Sequence, residues 1–253
     1  MDGKVSLLRG FELVVDGARW TVPPAVQRVM AYLALQERPT PRRQVASKLW
    51  PDVEERRCSA NLRSALWRIR RPDTELVVCC GGDLSISAEV SVDVRSMTVL
   101  ANRLLDSADS CDDLALSHET LGGDLLPGWY EDWVLLERER IRQLRLHALD
   151  ALAERLIALG RYGQAVQVSL KSVEEEPLRE TPHRLLVHVH LAEGNVSEAV
   201  REYDRYRELL SDELGVEPSE MLCELVDGVA RTGAPVPRRR RPRTAVGRGG
   251  RGV

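Results

Sequence analysis

The chain has 253 residues and a mass of 28.4 kDa, and its 43% hydrophobic and 30% charged side chains suit a soluble globular protein with room for one large or two small domains. No apolar run nears the ~18 residues of a membrane helix, and Met1-Asp2-Gly3-Lys4 lacks the charged-then-apolar profile of a secretion signal, so a cytoplasmic protein with no membrane partner is expected. The net charge of −3 hides a segregation: +3 over residues 1–95, −13 over 96–231 and +7 over 232–253.

Alternating residues predict strands at Val5-Ser6-Leu7-Leu8, at Phe11 to Val15 and at Trp20-Thr21-Val22, with a hairpin turn at Asp16-Gly17. At Pro23-Pro24 the period becomes helical, and Val26, Val29, Met30, Leu33 and Leu35 make one apolar face. A second helix is predicted from Thr40-Pro41, with Thr40 as N-cap and Val45, Leu49 and Trp50 apolar, up to Pro51. The third runs from Arg56 to Arg71 with Leu62, Ala65, Leu66 and Ile69 buried. Leu76-Val77-Val78 and Leu84-Ser85-Ile86 then read as a second hairpin around Gly81-Gly82. Strands, three helices and a hairpin follow the winged-helix order.

Residues 42–71 hold nine basic and three acidic side chains, a local patch that suits phosphate neutralisation on an otherwise acidic protein. At ~100° per residue, the face of the third helix opposite its apolar stripe carries Ser64, Trp67 and Arg71 around Ala60, flanked by Asn61, Arg63 and Arg68. Arg56 and Arg57 lie at the helix start. Arginine bonds guanine edges bidentately, asparagine bonds adenine, and serine or arginine bonds phosphate, so this set fits a helix lying in a major groove.

The run from Leu8-Arg9-Gly10-Phe11-Glu12-Leu13 through Pro24, Trp50-Pro51-Asp52 and Asn61-Leu62-Arg63-Ser64-Ala65-Leu66-Trp67-Arg68-Ile69-Arg70-Arg71 resembles the OmpR/PhoB-type winged helix at the front of the Streptomyces antibiotic regulatory proteins. The resemblance implies major-groove readout by the third helix, a wing toward the minor groove, and directly repeated half-sites. The sequence departs from that pattern at the wing tip, Cys79-Cys80-Gly81-Gly82-Asp83, which has no arginine, and at Trp67, where a smaller polar residue is commoner.

From Val92 onward the pattern reads as helical throughout. Apolar positions run through Met97, Leu100 and Leu104, then from Trp133 through Leu136, Ile141, Leu144, Leu149, Leu152 and Leu156 to Gly160. A 34-residue offset relates Leu152 to Leu186, Ala158 to Ala192, Gly160 to Gly194, Ala165 to Ala199 and Val166 to Val200, which is the tetratricopeptide period. Trp129 and Trp133 are spaced i, i+4 and are expected to pack against the next helix. The words Leu126-Pro127-Gly128-Trp129-Tyr130-Glu131-Asp132-Trp133, Leu159-Gly160-Arg161-Tyr162 and Glu213-Leu214-Gly215-Val216-Glu217-Pro218-Ser219 resemble the bacterial transcriptional activator domain that follows the winged helix in the same family. The expected architecture is therefore mixed. A winged helix (α+β) over 1–95 precedes an all-α, tetratricopeptide-like helical repeat domain over 96–231 and a disordered arginine-rich tail over 232–253, whose Arg238 to Arg241 suit non-specific phosphate contact.

No catalytic constellation, Walker loop or cofactor motif assembles, and the chain is not expected to be an enzyme. Five cysteines (Cys58, Cys79, Cys80, Cys111, Cys223) lack Cys-x-x-Cys spacing. His188 and His190 diverge on a helix, while His183 and His190 share a face with no cysteine or carboxylate at ligand spacing, so no metal is expected. The runs Asp112-Asp113 and Glu174-Glu175-Glu176 read as solvated. The favoured function is a nucleoid-associated, sequence-specific transcriptional regulator, with the family resemblance implying an activator of a secondary-metabolite or similar gene cluster. Its expected partners are double-stranded promoter DNA with direct-repeat half-sites, RNA polymerase and a second copy of the chain on DNA. The alternative is a tetratricopeptide-like interaction scaffold or ligand-sensing regulator whose basic helix is merely solvated; the winged-helix order favours the first.

Overall fold

The computed structural model describes residues 3–70, 75–106 and 120–230; Arg71, Cys111, Asp112-Asp113 and the 232–253 tail lie outside these. Two compact units, 1–177 and 178–253, divide the chain. The first unit thus runs past residue 95 without a break.

The first unit begins with β1 (Gly3–Ser6), β2 (Glu12–Val15) and β3 (Ala18–Arg19), in which β2 is antiparallel to both neighbours. Asp16 and Gly17 both take positive φ, +48° and +78°, as a two-residue hairpin turn requires. Trp20 to Val22 do not extend β3, although the Trp20 N–H still reaches the Leu13 carbonyl at 2.8 Å. Helix α1 (Pro24–Leu35) starts on a proline whose missing N–H costs nothing there, and it buries Val26, Val29, Met30 and Leu33.

Thr40–Pro41 is not a helix start. It forms β4, paired antiparallel with β6 (Asp83–Ile86), which also pairs with β5 (Val77–Cys80). Proline is tolerated there because β4 is an edge strand, and the buried Thr40 hydroxyl donates to Arg38 O instead of capping a helix. Helix α2 accordingly begins one turn element later, at Arg42–Leu49. A sharp loop at Trp50–Glu54 leads to α3 (Glu55–Ile69), and the buried Cys58 thiol holds that loop by donating toward the Trp50 and Val53 carbonyls. Gly81 and Gly82, at φ +61° and +98°, turn the β5–β6 wing.

The chain then returns to the first sheet. β7 (Val90–Val92) lies parallel to β1, giving the order β3-β2-β1-β7. Asp93, the next residue, accepts from the Leu7 and Leu8 N–H groups and from its own helix at Val94; its burial pushes the carboxyl pKa up against those hydrogen bonds. Helix α4 (Asp93–Leu105) follows, and its Arg95 donates to the Leu33, Ala34 and Gln36 carbonyls at the end of α1, satisfying groups the helix cannot bond itself.

The stretch after Val92 is not wholly helical, because residues 121–131 form an irregular segment that joins the front of the chain. Leu125 bridges Leu8, the Arg9 N–H donates to Asp124 O at 2.8 Å and the Leu126 N–H to Leu7 O at 2.9 Å. Two arginines of α5 (Asp132–Ala158) hold this segment from the other side. Arg138 donates to the Leu125, Leu126 and Trp129 carbonyls, and buried Arg145 donates to Gly123 O while pairing with Glu175 at 2.8 Å. Trp129 precedes α5, so it and Trp133 are not helical neighbours facing the next helix. They turn back: Trp129 stacks on Phe11 at 6.4 Å, and Trp133 meets Tyr32 edge-on at 5.4 Å. Arg28 of α1 pairs with Glu131 at 3.0 Å. Helix α6 (Tyr162–Glu175) closes the unit against α5.

The second unit comprises α7 (Glu180–Ala192), α8 (Val196–Leu214) and α9 (Glu220–Ala230) around Val187, Ala199, Tyr206, Leu210 and Leu222. The 34-residue offset holds at the level of single bonds. Arg161 N–H to Leu156 O and Gly160 N–H to Ile157 O recur as Asn195 N–H to His190 O and Gly194 N–H to Leu191 O. Gly160 and Gly194 sit at φ +70° and +77°, and Ala165 and Ala199 are both fully buried where paired helices approach.

Gly123 is the tightest glycine of the junction, since at φ +106° a Cβ there would lie 2.7 Å from Arg9 Cγ. Gly123→Ala is therefore expected to lower stability by about 1–3 kcal/mol in urea unfolding. Gly163→Ala, inside α6 with open space around it, should be neutral or raise stability by up to ~1 kcal/mol.

Candidate nucleic-acid interface

Helix α3 divides cleanly. Cys58, Leu62, Ala65 and Ile69 are buried against the domain, Leu66 is half-buried, and Arg56, Arg57, Asn61, Arg63, Ser64, Trp67 and Arg68 are all exposed. Seven of the eight residues expected to form a binding face thus share one surface, while Arg71 lies outside the described residues. Cys58 completes the buried stripe in a role the sequence did not assign to it. Its spacing, one turn before Leu62, was the available signal.

Among the described residues, none of the guanidinium groups of Arg56, Arg57, Arg63 and Arg68 is held by a carboxylate. The helical part of the chain behaves differently. Arg140 pairs with Glu137, Arg142 with Glu139 and Glu176, Arg201 with Glu198, Arg205 with Glu202 and Arg207 with Asp204. Glu139, although exposed, is held at a pKa of about 2, first by the hydrogen bond from Arg142 and then by that from Gln143. The α3 face therefore offers uncommitted donors, where most of the acidic region's arginines are internally neutralised.

Beside α3, the neighbouring elements add one interaction at each end. Arg43 of α2 pairs with Glu55 at 2.8 Å, and Arg42 donates to Cys79 Sγ at 3.2 Å, tying α2 to the wing. The wing tip is exposed and glycine-built, and the four described cysteines are all free.

Elsewhere, two expectations change. The Glu174-Glu175-Glu176 run is not simply solvated, because Glu175 and Glu176 receive Arg145 and Arg142 across the α5–α6 pair. His183 does have a carboxylate partner in space: Glu202 of α8 lies 2.7 Å from its Nδ1, and the imidazole stacks on Tyr206 at 4.2 Å. Sequence spacing missed this pair because it joins two helices. Among the described residues, no group of three or more histidine, cysteine, aspartate or glutamate side chains gathers as a metal would need. Likewise, none of the described helices is long and apolar enough to cross a membrane.

A winged helix continued into tetratricopeptide-like helical hairpins defines a class of two-part regulatory folds. The family model described as the bacterial transcriptional activator domain matches residues 101–229, and the chain belongs to that family. Two similar curated proteins are each named Regulatory protein AfsR. The one from Streptomyces griseus is 27% identical over 90% of this chain, and the one from Streptomyces coelicolor is 27% identical over 88%. The chain spans only about a quarter of their length, 24% and 23% respectively. A solved structure of Mycobacterium tuberculosis EmbR, in complex with a low-affinity phosphopeptide, matches with a TM-score of 0.70 at 19% identity, covering 92% of this chain and 66% of that one. That likeness supports the fold: a winged helix followed by a helical activator domain.

Two measurements follow from this geometry. Leu62→Ala should cost ~2–5 kcal/mol of folding stability, whereas alanine at Arg63 or Arg68 should change it by less than ~0.5 kcal/mol in the same urea titration. For Glu202, burial works to raise the pKa, but the hydrogen bond to His183 and the charges of His183, Arg205 and His190 outweigh it and bring the value below the ordinary 4.5. The depressed value means this stabilisation is complete above pH 4.5 and is lost as pH falls through the folded value. Acid unfolding of the α7–α9 unit, followed by tyrosine fluorescence, should lose that component in Glu202→Gln.

Proposed function

We propose that this chain is a sequence-specific DNA-binding transcriptional activator and that the outer face of α3 enters the major groove of promoter DNA. The carrying observation is the set of guanidiniums on that face, beside Asn61 and Ser64, that have no carboxylate partner among the described residues. Phosphate attraction and base readout both need such uncommitted donors, because an arginine already bound to a carboxylate must break that pair first. Membership of the activator-domain family and similarity to two proteins named as regulators support the same reading.

A single winged helix touches few base pairs, and ~4–10 kcal/mol of preference over random DNA calls for more contact than one copy supplies. The proposal therefore includes two copies on directly repeated half-sites in the promoter of a secondary-metabolite or similar gene cluster. The acidic helical part, residues 96–231 at −13, is repelled by phosphate and so faces away from DNA, where it contacts RNA polymerase and the second copy. Within this scheme the 232–253 tail adds non-specific phosphate attraction.

Binding of the full chain to duplexes selected from a random library, measured across salt concentrations, tests the proposal. Alanine at an arginine that reads a base should cost ~1–3 kcal/mol and relax specificity at one position. At an arginine on phosphate, it should weaken all sequences alike and flatten the salt slope by about one unit. Unchanged binding by alanine variants of Arg56, Arg57, Arg63 and Arg68 would remove α3 from the interface. Run-off transcription from a selected site with purified polymerase should rise on adding the full chain; a fall would indicate occlusion instead of activation.

A further inference from the structure

Trp67 occupies an unusual place on α3. With ~100° per residue, the buried set Cys58, Leu62, Ala65 and Ile69 defines one direction, and Trp67 lies within about 10° of the opposite one, in a row with Arg56, Ala60 and Arg63 at helical spacing. Its side chain is 78% exposed, and among the described residues no ring or cation stacks on it. The other described tryptophans differ: Trp133 is buried, and Trp20, Trp50 and Trp129 are half-buried. Trp67 is the indole held outermost, at the crest of the helix.

The chemistry around it selects the partner. Arg63, one turn before the indole, and Arg68, next to it, set positive charge beside Trp67, and Arg56 and Arg57 continue it about three turns back along the helix. A purely apolar protein groove closing over Trp67 would therefore have to desolvate guanidiniums that have no carboxylate partner among the described residues. DNA suits both parts, since phosphates meet the rim while the floor of the major groove meets the crest. On that floor the only apolar group is the thymine 5-methyl, and the adjacent O4 accepts a hydrogen bond. An indole has a flat apolar face and one N–H donor, which match that pair of features.

We propose that Trp67 is a specificity-determining residue, whose indole packs on the 5-methyl group of a thymine and so fixes one T·A pair in each half-site. This rests on the reading of α3 as the major-groove helix. Ala60, about two turns earlier on the same crest, leaves room for the bases to come close, and the indole, being uncharged, contributes to sequence preference without contributing to salt dependence.

The test uses the full chain and a duplex it selects from a random library. Each dT is replaced in turn by dU, which removes the methyl group and nothing else. One position per half-site should bind about fourfold more weakly as dU, the worth of one buried methyl group. Trp67→Ala should bind the dT and dU duplexes equally at that position and keep the salt slope of the parent; Trp67→Phe should keep part of the preference. The exposed position makes both variants foldable, and circular dichroism checks this. If no dT is sensitive to its methyl group, or if Trp67→Ala retains the preference for dT over dU, the role of Trp67 is wrong while α3 can still be the reading helix. If the full chain selects no sequence, the assignment of α3 fails and this inference with it.

Discussion

Everything outward-facing in the first unit depends on one seam. The turn Leu7–Phe11 meets the segment 123–133 through a β-bridge made of two backbone hydrogen bonds and through the stacked rings of Phe11 and Trp129, with Tyr32 and Trp133 alongside. Backbone bonds fix the register of the two segments, and the aromatic rings supply buried area that backbone pairing alone cannot. Arg138 and Arg145 satisfy the irregular segment's carbonyls from inside α5. As a result the family match, which begins at residue 101, starts within a helix of a unit that began at residue 1. The winged helix is folded into the same body as the first helical hairpin, and within that body α3 packs against α1 and α2.

Charge is organised on the same plan. The helical part carries most of the acid but commits much of it to arginines three residues away or on the facing helix, and the residual negative charge faces solvent. On α3, by contrast, the apolar stripe takes every buried position, and among the described residues no carboxylate pairs with its arginines. This division follows from sequence: residues 42–71 contain only three acidic side chains. A basic helix placed near the Glu137–Glu139 stretch would have been neutralised by its own chain.

Local signals were legible from the sequence. Asp16-Gly17, Pro24, Gly81-Gly82 and the spacing of Leu62, Ala65 and Ile69 each act within a few residues, and the structure has the turn, helix start, wing and buried stripe they predict. The 34-residue offset was legible too, because the same turn chemistry recurs at Gly160 and Gly194. Long-range pairing was not. Thr40-Pro41 has the local chemistry of a helix start, yet pairing with Leu84 and Asp83, more than forty residues away, makes it a strand. Trp129 and Trp133 have helical spacing, but Leu125's bridge to Leu8 keeps Trp129 out of the helix and turns both rings toward the front of the chain. The His183–Glu202 pair was hidden for the same reason. On the candidate interface itself, exposure of the seven described residues followed from periodicity, whereas the absence of carboxylate partners could be seen only in three dimensions.

Native-state hydrogen exchange on the full chain tests the seam most directly. If the winged helix and the first hairpin are one cooperative body, the amides of β1 and those of the buried middle of α5 should open with the same free energy, and Trp133→Ala should lower both by the same amount. Loss of protection in α5 alone, with β1 and α1 unchanged, would contradict the account and make the winged helix an independent domain.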